Sequence, residues 1–139
     1  MRLATLVVAL VLLVGCGGES QTGEVDLQED CGLPKPHRNV DPSAVPDDAL
    51  LMEGATIFRT QTRDGRSVIG LNVPHGVDEA FDYYRRAAKK VGYDVLQLDN
   101  EGFEAEIYLK AGRDLAAFTI RSSVCEEAVV VFLNLPVDE

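Results

Sequence analysis

Residues 77–91 read VDEAFDYYRRAAKKV, with Gly92 next in the chain. The apolar positions Val77, Ala80, Phe81, Tyr84, Ala87, Ala88 and Val91 recur at the i, i+3, i+4, i+7 spacing that lines one side of an α-helix. Asp78 and Glu79 stand in what would be the first turn, and Lys89 and Lys90 in the last, each opposing the sign of the helix dipole at its own end. Gly92 suits the left-handed residue that closes a helix. The spacing therefore predicts a helix over 77–91. Its stripe must be buried against another layer, and no other segment carries the same periodicity. The partner has to be a sheet.

Strand signals flank the helix on both sides. Residues 51–62 read as a strand centred on Ala55-Thr56-Ile57-Phe58, and Arg63-Asp64-Gly65-Arg66 suits a two-residue hairpin turn, because Asp and Gly both tolerate positive φ. The return strand, 66–73, places Ile69, Leu71 and Val73 on one face and ends at Pro74. After the helix, strands are predicted over 93–98, 103–110, 115–122 and 128–135, with turns at Asn100-Glu101-Gly102 and Ala111-Gly112-Arg113. Phe103, Ala105, Ile107 and Leu109 alternate with Glu104, Glu106, Tyr108 and Lys110, the pattern of an antiparallel strand with one wet face. Residues 129–133 are uniformly apolar, which predicts a central strand buried on both faces. The order ββαββββ lacks βα alternation, so the expectation is an α+β fold, one helix on a mostly antiparallel sheet of about six strands.

Composition changes sharply upstream of residue 51. Among residues 17–50 only 9 of 34 are apolar, none is aromatic, eight are acidic against two basic, and four of the six prolines fall here. Such a stretch buries too little to offset the entropy of ordering it. The reading is a tether over 16–50 and a folded domain over 51–139. The acidic residues Glu24, Asp26, Glu29 and Asp30 do not follow the D-x-[DN]-x-[DN]-G spacing of a calcium loop, so they read as solvated charge.

At the N-terminus, Met1-Arg2 precede an apolar run over 3–14 broken only by Thr5. That is too short for a bilayer span of about 20 residues and suits a signal peptide over 1–15. The run ends in Leu13-Val14-Gly15-Cys16, which resembles the lipobox of bacterial lipoproteins. The resemblance implies cleavage before Cys16, a diacylglyceryl group on its sulfur and acylation by fatty acids such as palmitate. It places the protein on the outer side of a cell membrane, the outer membrane included if its source has one. Two or three acyl chains, at about 0.8 kcal/mol per buried CH₂, exceed what stable anchoring requires. An ordinary secreted protein is the alternative, but no A-x-A-like cleavage site precedes Cys16.

Two cysteines remain, Cys31 and Cys125. In an extracytoplasmic compartment an even pair reads as a disulfide. A metal site and a reactive thiol are the alternatives; there is no C-x-x-C, and His37 and His75 stand at no zinc-like spacing to either cysteine.

A formal net charge of −10 argues against nucleic acid, whose binding needs clustered Lys and Arg. Arg85, Arg86, Lys89 and Lys90 are the one basic cluster. On a helical wheel they lie opposite the apolar stripe, with Asp82 placed to pair with Arg85 and Arg86; they read as a solvated face, the alternative being a patch for lipid headgroups or an anionic wall polymer. His75, in Pro74-His75-Gly76, has no G-x-S-x-G, H-E-x-x-H or S-x-x-K motif to supply a nucleophile or metal, and reads as a turn residue. Glu104 with Glu106 and Asp78 with Asp82 are pairs that could do acid–base work, but their spacing suits exposed surfaces. Tyr83, Tyr93 and Tyr108 are candidate interface aromatics, with Tyr83 phased toward the outer side of the helix. No nucleotide signature occurs, and no cofactor is indicated. The expectation is a non-enzymatic binding or accessory module that presents a sheet face or edge to an envelope protein. The alternatives are an inhibitor or immunity-type protein capturing a cationic enzyme, and a small hydrolase using His75.

Overall fold

A computed structural model describes residues 31–137. The predicted signal segment, Cys16 and residues 17–30 lie outside the described residues. The chain forms β1 (Thr56–Arg63), β2 (Arg66–Val73), α1 (Val77–Lys90), β3 (Asp94–Asn100), β4 (Glu104–Ala111), β5 (Asp114–Ser122) and β6 (Val129–Pro136), preceded by two 3-10 turns, Pro42–Ala44 and Asp48–Leu50. The fold is α+β in the predicted order. All five strand pairings are antiparallel, in the sheet order β1-β2-β6-β5-β4-β3.

Local chemistry explains the main junctions. Asp64 and Gly65 turn the β1–β2 hairpin with φ of 51° and 70°, the two positive values that a type I′ turn requires. At the end of α1, Gly92 takes φ 87°; its N–H donates to the Lys89 carbonyl and that of Tyr93 to the Ala88 carbonyl. This is the Schellman arrangement, which satisfies carbonyls the helix leaves open. Helix α1 runs back along the sheet from the end of β2 and delivers the chain to β3 at the far edge. One end of the sheet thus gathers the helix N-terminus, the β3–β4 turn and the β5–β6 loop.

The stripe predicted for α1 is the buried one. Val77, Ala80, Tyr84, Ala87 and Ala88 are buried over β3, β4 and β5. Ile107, Leu109, Phe118 and Ile120 meet them, fully buried, and Tyr84 stands edge-on to Phe118 with centroids 5.9 Å apart. Ile69, Leu71 and Val73 share one buried face as expected. The helix does not reach their half of the sheet. That half is closed instead by Leu50 and Met52, with Ala44, Val45 and Leu51 partly buried beside them.

Residues 31–50 therefore belong to the domain, and the expected boundary at residue 51 moves to residue 31 or before. Cys31 and Leu33 are buried against Ala128, and the Asn72 side chain donates to the Pro34 carbonyl at 2.8 Å. The His37 N–H bonds the Phe58 carbonyl at 2.8 Å, and the Asp41 N–H bonds Thr60 Oγ1 at 2.9 Å. By strand parity, Cys31 and Leu33 lie on the face opposite the helix, whereas Leu50 and Met52 lie on the helix side. The segment, with Leu51 and Met52, thus forms a strap over residues 31–52 that wraps around the outer edge of β1. Its few apolar residues suffice because three of them fall where the short helix leaves the sheet uncovered.

Cys31 and Cys125 are joined in a disulfide, with Cα atoms 5.0 Å apart. The strand over 129–133 is central but has one buried face only: Val129, Val131 and Leu133 are fully buried, and Val130 and Phe132 are partly exposed. The second face has no helix to cover it.

Candidate functional site

The face of the sheet opposite α1 carries no helix, and among the described residues only the segment at 31–34 and the Phe58 ring lie over part of it. Antiparallel register sets its residues in rows. Gln97, Tyr108, Ala117, Asn134, Val68 and Gln61 lie side by side across the six strands, and Asp99, Glu106, Thr119, Phe132, Gly70 and Arg59 form the next row. The strap at residues 31–34 covers a third row only in part, at Asn72 and Val130. Phe132 is propped edge-on by Phe58 at 5.8 Å. The Phe58 ring lies over Gly70, where an added Cβ would come within 2.5 Å of it. The centre of the face is thus a shallow apolar strip of Val68, Phe132 and Ala117, extended by Tyr108, 39% exposed, and Leu115, 64% exposed.

A charged border frames the strip. The Tyr108 hydroxyl donates to Glu106 Oε2 at 2.6 Å; that hydrogen bond, and then the charge of Glu106, hold its proton above the usual tyrosine range. Arg121 reaches Glu104 at 3.4 Å. Arg66 is pinned by Asn134, donating from Nε to Oδ1 at 2.6 Å and from Nη2 to the Leu115 carbonyl at 2.8 Å. These partners fix side chains on a flat surface without closing it. Such a surface is chemically fit for contact with another macromolecule, with an amphipathic tyrosine beside its apolar centre and paired charges at its rim.

The residues singled out for chemistry are scattered rather than convergent. His75 Nδ1 lies 3.1 Å from Glu79 in the first turn of α1 and Nε2 lies 3.3 Å from the Glu53 carbonyl in the segment before β1, so both ring nitrogens face structural neighbours. Glu104 and Glu106 do share a face, but each holds the structural partner just named. Asp78 accepts from Asn100 Nδ2 at 2.8 Å, and Asp82 pairs with Arg85 at 3.2 Å. Tyr83 departs from its expected role at the outer side of the helix. Its hydroxyl reaches the carbonyls of Ala49 and Leu51, at 2.9 and 3.0 Å, and so clasps the strap to the helix. Tyr93 packs partly buried against the core. Of the three tyrosines, only Tyr108 remains on an open surface.

The space between helix and sheet is filled by the core. A cleft of about 550 Å³ opens beside the start of α1, lined by Val77, Glu79, Phe103, Ser122, Ser123 and Glu126 among others. Among the described residues no group of three or more His, Cys, Asp or Glu is placed to hold a metal ion, and no helix is long and apolar enough to cross a membrane. Phe132, Val68 and Gly70 were not singled out by the sequence reading; the signal was a glycine inside a β-branched strand, which marks close approach of another group. No protein-family model and no curated protein matches the sequence.

Proposed function

We propose that the protein is a lipid-anchored lipoprotein of the cell envelope, held on the outer side of the membrane through Cys16, whose domain works as a non-catalytic binding module. The observation that carries the binding role is the sheet face just described. It is framed by paired side chains, apolar at its centre and left open by a fold that packs its core on the other face. The anchor rests on the run Leu13-Val14-Gly15-Cys16 behind an apolar signal segment. Because Cys31 is fastened to the β5–β6 loop, only residues 17–30 separate lipid from domain, a reach of at most about 50 Å for any chain of that length. The partner is therefore another envelope component within a short distance of the membrane.

Variants at two positions test the reading. Cys16→Ser should release the protein from the membrane fraction and abolish uptake of labelled fatty acid; continued labelling refutes the anchor. Phe132→Lys, placed on the open face, should abolish capture of envelope proteins by the lipidated chain, while Phe132→Leu, which loses the same ring contact with Phe58 but stays apolar, should retain it. Unchanged capture refutes the face.

A further inference from the structure

The two edges of the sheet are treated differently. The β1 edge is bonded by the strap, through the His37 N–H to the Phe58 carbonyl and the Asp41 N–H to Thr60. At the other edge β3 pairs with β4 alone among the described residues. A bulge between Val95 and Gln97 turns Leu96 outward, 55% exposed, while Leu98 beside it is 42% exposed. From Gln97 to Asn100 the strand is regular. Such an edge carries backbone donors and acceptors ready for another strand.

Charge selects what can use it. Asp94 and Asp99 stand toward the two ends of the strand, and Asp99, Glu101, Glu104 and Glu106 line a cleft of about 200 Å³ at the β3–β4 corner. Lys110, across from Asp94, is the one cation opposite β3 in the register, and Arg121 is turned to Glu104. A second copy of this chain pairing through β3 would bring these carboxylates against their own kind. The chain's own residues 17–30 hold Glu19, Glu24, Asp26, Glu29 and Asp30 and no base, and suffer the same repulsion.

We propose that the β3 edge docks an extended segment of a cationic partner protein. The segment adds a seventh strand by main-chain pairing, its apolar side chains lie against Leu96 and Leu98, and a Lys or Arg enters the cleft of Asp99, Glu101 and Glu106. This is recognition by strand addition, in which the backbone supplies affinity and the side-chain sites supply selectivity. The inference goes beyond the reading above: it holds with or without lipid on Cys16, and although Asp99 and Glu106 border the open face, the main-chain pairing it requires engages the β3 edge and not Phe132 or Val68.

The probe is a synthetic peptide of about ten residues, the upper length of an ordinary strand, alternating valine with lysine, and a second alternating valine with glutamate, each added to the purified full chain. The lysine peptide should bind, slow hydrogen exchange at the amides of β3, and weaken at least tenfold at about 1 M salt, where the screening length falls to about 3 Å. Asp99→Lys, at an exposed position, should weaken binding at least tenfold, and Leu96→Lys likewise; a thermal melt matching wild type for either one shows that the loss is local. Four outcomes overturn the proposal: no binding at about 1 mM peptide, equal binding of the glutamate peptide, protection that maps to β1 or to the open face, and self-association through β3 in the chain alone. Loss of envelope capture by Phe132→Lys with peptide binding intact would separate the two sites.

Discussion

Replacing both Cys31 and Cys125 by alanine tests whether the strap is a structural part of the domain. The bond closes a loop with a sequence separation of 94, for which the chain-entropy model gives about 4.7 kcal/mol of restriction in the unfolded state. That is an upper figure, since unfolded chains retain some structure of their own. A loss of about 2–4.7 kcal/mol is expected. For a domain of about 100 residues each kcal/mol moves Tm by roughly 4–5 °C, so the variant should melt about 10–20 °C below wild type.

The strap contacts make the expectation sharper. Leu50 is fully buried and Met52 nearly so, and Tyr83 holds two strap carbonyls, so residues 44–52 should stay folded without the disulfide. Residues 31–41 are held by the backbone bonds of His37 to Phe58 and of Val124 to Cys31, by bonds to the side chains of Asn72 and Thr60, and by the small cluster of Leu33 with Ala128, and these should open first. Calorimetry gives Tm, and limited proteolysis locates the opening: new cuts are expected between residues 31 and 41 and none between 44 and 52. A shift under about 3 °C, or cutting within 44–52, would refute the account of the strap as two segments of unequal strength.

Gly70→Ala should destabilise by about 1–3 kcal/mol, because its Cβ would meet three atoms of the Phe58 ring at 2.5, 2.8 and 2.9 Å and the packed ring must shift; urea melts of Gly70→Ala, Phe58→Leu and the double variant should show coupling, and additivity would rule out the contact. Glu106→Gln should bring the Tyr108 titration down toward the ordinary value near 10, since the hydrogen bond to Glu106 and its charge are what raise it. A group raised on folding contributes fully below its unfolded pKa, and the contribution is lost as pH rises through the folded one. The difference in tyrosinate absorbance between the two proteins should therefore appear only above about pH 9–10, and identical titrations would refute the assigned cause.

The parts of the fold with local periodicity were legible in the sequence. The stripe from Val77 to Val91, the Asp64-Gly65 turn and the alternation around Ile107 each follow from spacing alone, and the elements lie within two residues of the predicted spans except at β1, expected from residue 51 but starting at Thr56; Phe103, expected on the inner side of its strand, precedes β4 and is exposed. The strap was not legible, for a physical reason. Its stability comes from a few apolar side chains, among them Leu33, Leu50 and Met52, set against surfaces that exist only once the sheet has formed, together with hydrogen bonds to Phe58, Asn72 and Tyr83 from far along the chain. Composition averages over 34 residues and registers the prolines and acids between those anchors. Residues 129–133 failed in the opposite sense: every residue is apolar, and only the placement of the helix decides which alternate side chains, Val130 and Phe132, remain partly exposed. The same ambiguity hid the candidate site, because an apolar residue on an open sheet face reads in sequence like one in the core.

The strap also links the anchor to the orientation of both proposed surfaces. Cys31 is clamped at the end of the sheet that carries the start of α1, the β3–β4 turn and the β5–β6 loop, so lipid on Cys16 would hold that end toward the bilayer. Asp78, Glu79, Glu101, Glu126 and Glu127 are exposed there, with Arg121 turned to Glu104. Anionic headgroups would repel this end over about a Debye length, roughly 8 Å in physiological salt, while the 14 residues between Cys16 and Cys31 limit its distance to about 50 Å. Repulsion from below and a short leash together favour strands standing away from the membrane plane. In that pose neither the open face nor the β3 edge is pressed against lipid, and both look sideways, where a neighbouring envelope protein can reach them.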